Sequence, residues 1–296
     1  MEEYVGCKIN RTSEKSMIMY QDTLIKKMLK SFGNELGNMR KYESPTSTGN
    51  AVVRPVEGEP ILSEEMQTRY RSGIGILMFL IKYSRPDISN AVRELSKVND
   101  GATEGQYKEL LRVMKFVKDM KKSGLKYNVE NKELSENHMW EMMAYCDSDF
   151  AGDKDSQKSV TGYGIYLLGC LIAWKSRGQK TVSLSSSKAE YLAIADVCTK
   201  ILFVRNVFDF SGLKIDYPIL VRCDNVGAMF LSYNAKTSPR TKHVDIKAHF
   251  VWEYVDEGII KIVFLKLENN DSDIWTKNTD RKTFARHVVK FMGRNE

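Results

Sequence analysis

Apolar positions follow two different rhythms along the chain. Up to about residue 127 they recur every three or four residues, and beyond about residue 138 they fall mostly into short runs of five to nine, interrupted by a few helical stretches. From Gln21 to Phe32 the residues Leu24, Ile25, Met28, Leu29 and Phe32 keep the spacing of one helix face. Ser44 to Glu65 carries Pro45, Pro55 and Pro60 and predicts a long irregular connection, with two or three further helices after it. One of these, Glu104 to Lys122, sets Leu110, Val113, Met114 and Val117 as an apolar stripe and gathers Lys108, Arg112, Lys115, Lys118 and Lys122 on another side. In the second half, 139–146, 161–168 and 171–175 read as consecutive strands, the last two joined at Leu168-Gly169-Cys170. A helix from Ser187 to Phe210 follows, then a strand from Ile219 to Cys223, a short helix from Asn225, another from Lys242 to Val255, a strand from Ile259 to Leu267 and a last helix from Ser272. That order predicts an α/β domain, a mixed five-stranded sheet flanked by helices, behind a mainly helical first part.

Residues 128–137 have no apolar periodicity, so the expected division is 1–127, a linker at 128–137, and 138–296. A hydrophobic content of 42% over 296 residues is enough to give each part its own core. The net charge of +7, beside 38 acidic residues, predicts local positive surface and a polyanionic partner, most simply a nucleic acid. Five dispersed cysteines, mostly within apolar runs, read as small core residues of a protein in a reducing compartment. No apolar stretch approaches the ~20 residues of a membrane span, and Met1-Glu2-Glu3 does not open a signal peptide, so an intracellular protein without membrane insertion is expected.

Four acids stand where elements begin or end: Asp147, Glu190, Asp224 and Asp273. Carboxylates brought together from such ends are the ligands a hard divalent cation selects. Each also has a plainer reading. Asp147 fits a turn aspartate, Glu190 with Ser187 spells a capping box, Asp224 can cap the helix opening at Asn225, and Asp273 suits a helix N-terminus. A calcium loop over Asp147–Asp155 is excluded, because Ala151 and Lys158 occupy ligand positions and a strand precedes it. Three acids at strand ends or first helical turns nevertheless match where open sheets assemble sites. His243 and His249, six apart on a predicted helix, give no zinc pair, and no phosphate-cradling glycine loop or nucleophilic triad occurs.

These residues carry a resemblance to the ribonuclease H domain of copia-type LTR retrotransposon polyproteins. The blocks are Cys146-Asp147-Ser148-Asp149-Phe150-Ala151-Gly152-Asp153, Ala173-Trp174-Lys175-Ser176, Ser185-Ser186-Ser187-Lys188-Ala189-Glu190-Tyr191, Cys223-Asp224-Asn225, Lys242-His243-Val244-Asp245-Ile246 and Ser272-Asp273-Ile274-Trp275-Thr276-Lys277. The first part resembles the C-terminal, thumb or connection part of the preceding reverse transcriptase, through Gln67-Thr68-Arg69-Tyr70-Arg71-Ser72 and Ser84-Arg85-Pro86-Asp87-Ile88. No Tyr-x-Asp-Asp sequence occurs, so no polymerase activity is expected, and no histidine lies between Lys261 and Asp273, where many ribonucleases H carry a mobile one.

The resemblance implies a ribonuclease H-like fold and a magnesium-dependent endoribonuclease that cuts RNA in RNA–DNA hybrids. Asp147 would bridge two Mg2+ ions, replaceable by Mn2+, with Glu190 and Asp224 completing one and Asp273 holding the other. Lys108, Arg112, Lys115, Lys122, Ser186, Asn225, Arg240 and Lys242 are the candidate nucleic-acid contacts. The implied setting is a virus-like particle in the cytoplasm or the nucleus, with the rest of the reverse transcriptase as a possible partner. The rival expectation is a catalytically silent nucleic-acid-binding remnant.

Overall fold

The structure, a computed structural model, describes residues 3–129, 139–233 and 250–294. The chain forms two compact units, Met1–Asn128 with Lys277–Glu296, and Val129–Thr276.

The first unit opens with three strands, β1 (Glu3–Tyr4), β2 (Cys7–Ser13) and β3 (Ser16–Tyr20), followed by α1 (Asp22–Gly37), α2 (Glu64–Tyr83), α3 (Ser89–Ser96), α4 (Glu104–Asp119) and β4 (Ser123–Asn128). The helices are those the 3.6-residue spacing predicts. Ile25, Met28, Phe32 and Leu36 of α1, Tyr70, Ile74, Leu77 and Leu80 of α2, and Leu110, Val113, Met114 and Val117 of α4 are all buried. Thr103 starts α4 with a reciprocal capping box: its hydroxyl accepts from the Gln106 amide, and the Gln106 side chain accepts from the Thr103 amide.

In the second unit β5 (Met142–Asp149), β6 (Val160–Leu167) and β7 (Cys170–Gly178) form an antiparallel meander. The long α5 (Ser186–Phe210), β8 (Ile219–Cys223), α6 (Val226–Tyr233) and β9 (Ile260–Phe264) follow, with residues 250–256 helical, and the unit ends in the single turn α7 (Asp273–Thr276). The sheet order is β7-β6-β5-β8-β9, and β5, β8 and β9 run parallel. This is the mixed five-stranded sheet that the alternating second half predicts. Met142, Ala144 and Cys146 of β5, Val221 of β8 and Ile262 of β9 pack with Ile194, Val197, Cys198 and Ile201 of α5 in one core. All five cysteines are buried and free.

The chain then returns to the first unit through α8 (Arg281–Val288) and β10 (Met292–Arg294), which pairs antiparallel with β4 and completes a sheet of order β1-β2-β3-β4-β10. The first unit is mainly helical, as expected, and carries a five-stranded sheet besides; residues 277–294 group with it, where the expected second part ran over 138–296. The physical reason lies in Phe284 and Phe291, whose buried rings complete the first unit, with Phe284 meeting Phe116 of α4 edge-on at 5.8 Å. No helix of the described residues is long and apolar enough to cross a membrane.

Candidate metal centre

Parallel pairing of β5 with β8 aligns Tyr145 with Arg222, so two residues further on Asp147 and Asp224 stand side by side near the C-terminal ends of these two central strands. Glu190 arrives from the first turns of α5. One carboxylate oxygen from each of the three lies within 4.8 Å of the others, with Asp147 and Glu190 buried and Asp224 half-buried.

Local chemistry separates these side chains from their plainer readings. The hydroxyl that caps α5 belongs to Ser185, which accepts from the Lys188 amide at 3.2 Å, so the Ser187–Glu190 capping box does not form. Glu190 turns to the sheet instead, where its Oε1 accepts from the Ser148 amide at 3.2 Å. Its Oε2 is buried and has no hydrogen-bond partner among the described residues. At α6 the cap is Asn225, whose Oδ1 accepts from the Ala228 amide at 2.9 Å, which frees Asp224 from that task.

Burial first, and then the negative charges of Asp147 and Asp224, push the Glu190 carboxyl far above its ordinary range. Converging, desolvated carboxylates with an orphaned buried oxygen fit a hard divalent cation, whose charge would reverse that shift.

Asp273 is buried at the start of α7 but does not belong to this three-carboxylate group. Its link to the centre runs through Thr276, whose hydroxyl reaches both Asp147 Oδ2 and the Asp273 carbonyl. Sequence reasoning passed over Thr276, although it stands in the same short block as Asp273. It also passed over Gln179, whose Nε2 donates to the Ala189 carbonyl at 2.9 Å and lies 3.1 Å from Thr161 Oγ1 and 3.3 Å from Ser148 Oγ. Gln179 thereby ties the neighbours of Asp147 and Glu190 together.

The candidate nucleic-acid contacts are scattered over both units. In the second unit Ser186 is exposed at the first residue of α5, and Asn225 is half-buried and serves as a cap. In the first unit Lys108 is exposed beside Glu104, Arg112 lies over the Tyr42 ring, Lys115 is buried against Asp119, and Lys122 is exposed. Arg240 and Lys242 lie outside the described residues.

No protein-family model matches the chain. It is 31% identical over 249 residues, 82% of its length, to the retrovirus-related Pol polyprotein from transposon RE1 of Arabidopsis thaliana. It is 29% identical over 297 aligned positions, 96% of its length, to that from transposon TNT 1-94 of Nicotiana tabacum. It spans 16% and 21% of the length of these two relatives. Among solved structures, LC11-RNase H1, isolated from compost, aligns with a TM-score of 0.32 and 14% identity over 50% of this chain and 98% of its own.

Proposed function

The chain belongs to the retrovirus-related Pol polyproteins of copia-type transposons, and from that premise we propose that its second unit is a ribonuclease H, a magnesium-dependent endonuclease that cuts the RNA strand of RNA–DNA hybrids. The observation that carries this reading is the convergence of Asp147, Glu190 and Asp224 within 4.8 Å near the C-terminal ends of the central strands of a mixed sheet.

Mg2+, when bound, supplies Lewis-acid stabilisation of the phosphodiester oxygens and activates water for in-line attack. The chain's part is to hold its carboxylates at one point and to aim them. Asp147, Glu190 and Asp224 would hold the cation, and Asp273, joined to Asp147 through Thr276, would serve a second. The Ser148 amide fixes one Glu190 oxygen and leaves the other for the ion. Burial of Asp147 and Glu190 keeps bulk water from competing at these oxygens. Ser186, exposed beside the site, would meet the hybrid, and RNA would be distinguished by 2′-hydroxyls and hybrid shape rather than by base sequence.

The test is cleavage of a labelled RNA–DNA hybrid by the full chain with Mg2+ and with chelator. Asp147→Asn is expected to abolish cleavage while hybrid binding survives, because the amide keeps the shape but loses the charge that holds the cation. Equal cleavage by parent and variant would refute the assignment. Binding by the parent without cut product at any Mg2+ or Mn2+ concentration would favour a silent binding remnant.

A further inference from the structure

Asp147 takes part in every version of this chemistry, and one group that contacts its carboxylate lies on α7. The face of β5 that carries Asp147 also carries Tyr145, and their partners on β6 are Gly162 and Gly164. Both glycines are needed for close approach. A Cβ on Gly162 would fall 2.6 Å from Thr276 Cγ2, and one on Gly164 would fall 2.4 Å from the Trp275 ring. Two missing side chains thus make a seat in the sheet into which α7 drops.

The seat is locked from the other end. Asn270, fully buried, donates its side-chain amide to the Cys146 carbonyl at 3.0 Å, one residue before Asp147, and its Oδ1 accepts from the Ser272 amide at 3.2 Å. Trp275 is wholly buried against the sheet. Thr276 follows these two anchors, with its Cγ2 against Gly162 and its hydroxyl on Asp147 Oδ2. That hydroxyl has one proton and two acceptors in reach, Asp147 Oδ2 and the Asp273 carbonyl at 3.1 Å. Of the two contacts, the one to Asp147 Oδ2 is the closer.

We propose that Thr276 is the positioning residue of the metal centre: its hydroxyl fixes the rotamer of Asp147 and occupies one lone pair of Oδ2, so that the remaining lone pairs face the cation. This rests on the metal-centre reading above. Groups that orient a metal-binding carboxylate typically change metal affinity or activity by about 10- to 100-fold when removed.

The probe is Mn2+ binding to the full chain without nucleic acid, followed by calorimetry and by the spectrum of the free ion, with hybrid cleavage against Mg2+ concentration as the second readout. Thr276→Val, nearly isosteric, is expected to raise the Mn2+ dissociation constant about 10- to 100-fold. Thr276→Ser, which keeps the hydroxyl and drops the methyl, is expected to stay within a few-fold of the parent. A serine variant that binds as weakly as the valine variant would overturn the proposal, since packing of the methyl would then be the cause. So would a valine variant that binds Mn2+ as tightly as the parent. If Thr276→Val fails to fold, Thr276→Ala takes its place: a loss of about 10-fold or more beside a near-parental serine variant upholds the role of the hydroxyl, and an alanine variant that binds Mn2+ as tightly as the parent defeats it. Should Asp147→Asn bind Mn2+ as tightly as the parent, or the parent bind none, the metal-centre reading itself fails. That outcome is distinct from one in which only Thr276 proves indifferent.

Discussion

In the first unit Arg85 and Asp87 lie buried face to face, two guanidinium N–H groups donating to the carboxylate at 2.8 and 2.7 Å. Glu94, also buried, is held by Arg93 and Lys97 and accepts from the Val52 amide. In the second unit the buried Asp147 and Glu190 converge on Asp224, another carboxylate. A desolvated pair of opposite charges needs no third party. Three carboxylates at one point repel one another unless a proton or a cation joins them, so the two units treat buried charge in opposite ways.

The largest effect expected from this contrast is on the first unit. Asp87→Ala leaves the Arg85 guanidinium buried over the Phe116 ring without its carboxylate, and should cost about 3–5 kcal/mol of unfolding free energy. Denaturant titration measures it. A loss below about 1 kcal/mol, the size of an exposed ion pair, would mean that the pair is reached by water and that the contrast is overdrawn.

Next in size is the opposite sign at Glu190. Glu190→Gln, an isostere of the protonated acid, should stabilise the metal-free protein by roughly 1–3 kcal/mol at pH 8 while removing its response to Mg2+. The pH dependence follows from the raised carboxyl. The unfolded chain loses the Glu190 proton near the ordinary value of 4.5, whereas the folded protein retains it to much higher pH. The stability associated with this group is therefore fully present below about 4.5 and falls as pH rises through the folded value. Thermal melts in chelator should show parent and variant close together at pH 4 and apart at pH 8, and Mg2+ should bring the parent back. A gap independent of pH would remove Glu190 from the account.

Much of this contrast is legible in the sequence, and the parts that are not have separate physical reasons. Strong periodicity reported itself: Ile219–Cys223 is predicted and observed over the same residues, and the stripes of α1 and α4 are buried as their spacing requires. β10 has three residues with one buried, and β1 has two, so neither carries a period. Their existence depends on pairing with strands distant in sequence, which composition cannot display. At the site, the first turn of a helix is where both a cap and a metal ligand belong, so Ser187 with Glu190 and Asp224 with Asn225 remained ambiguous. Ser185 and Asn225 settle it by taking the capping work. Thr276 was hidden for another reason: one hydroxyl beside a tryptophan has no pattern until Gly162 and Gly164 are seen to admit it.

The smallest expected effect concerns the basic stripe of α4, where sequence alone put Lys108, Arg112, Lys115 and Lys122 on equal terms. Folding divides them. Lys115 is buried in a 2.8 Å pair with Asp119, a partner four residues on, and Arg112 stacks 4.6 Å above the Tyr42 ring while donating to Ser47 Oγ at 2.6 Å. Both serve the first unit itself, and substituting either would mix a folding effect into any binding measurement. Lys108, in an exposed pair with Glu104, and Lys122, exposed beyond the end of α4, can exchange their surroundings for a phosphate at little cost. If the stripe follows a nucleic-acid backbone, Lys108→Ala and Lys122→Ala should each lower the slope of log affinity against log salt for hybrid binding by about one, while cleavage at saturation stays as in the parent. An unchanged slope in both would make α4 a solvated face and leave hybrid binding to the second unit, which would turn the contrast between the units into a full division of labour.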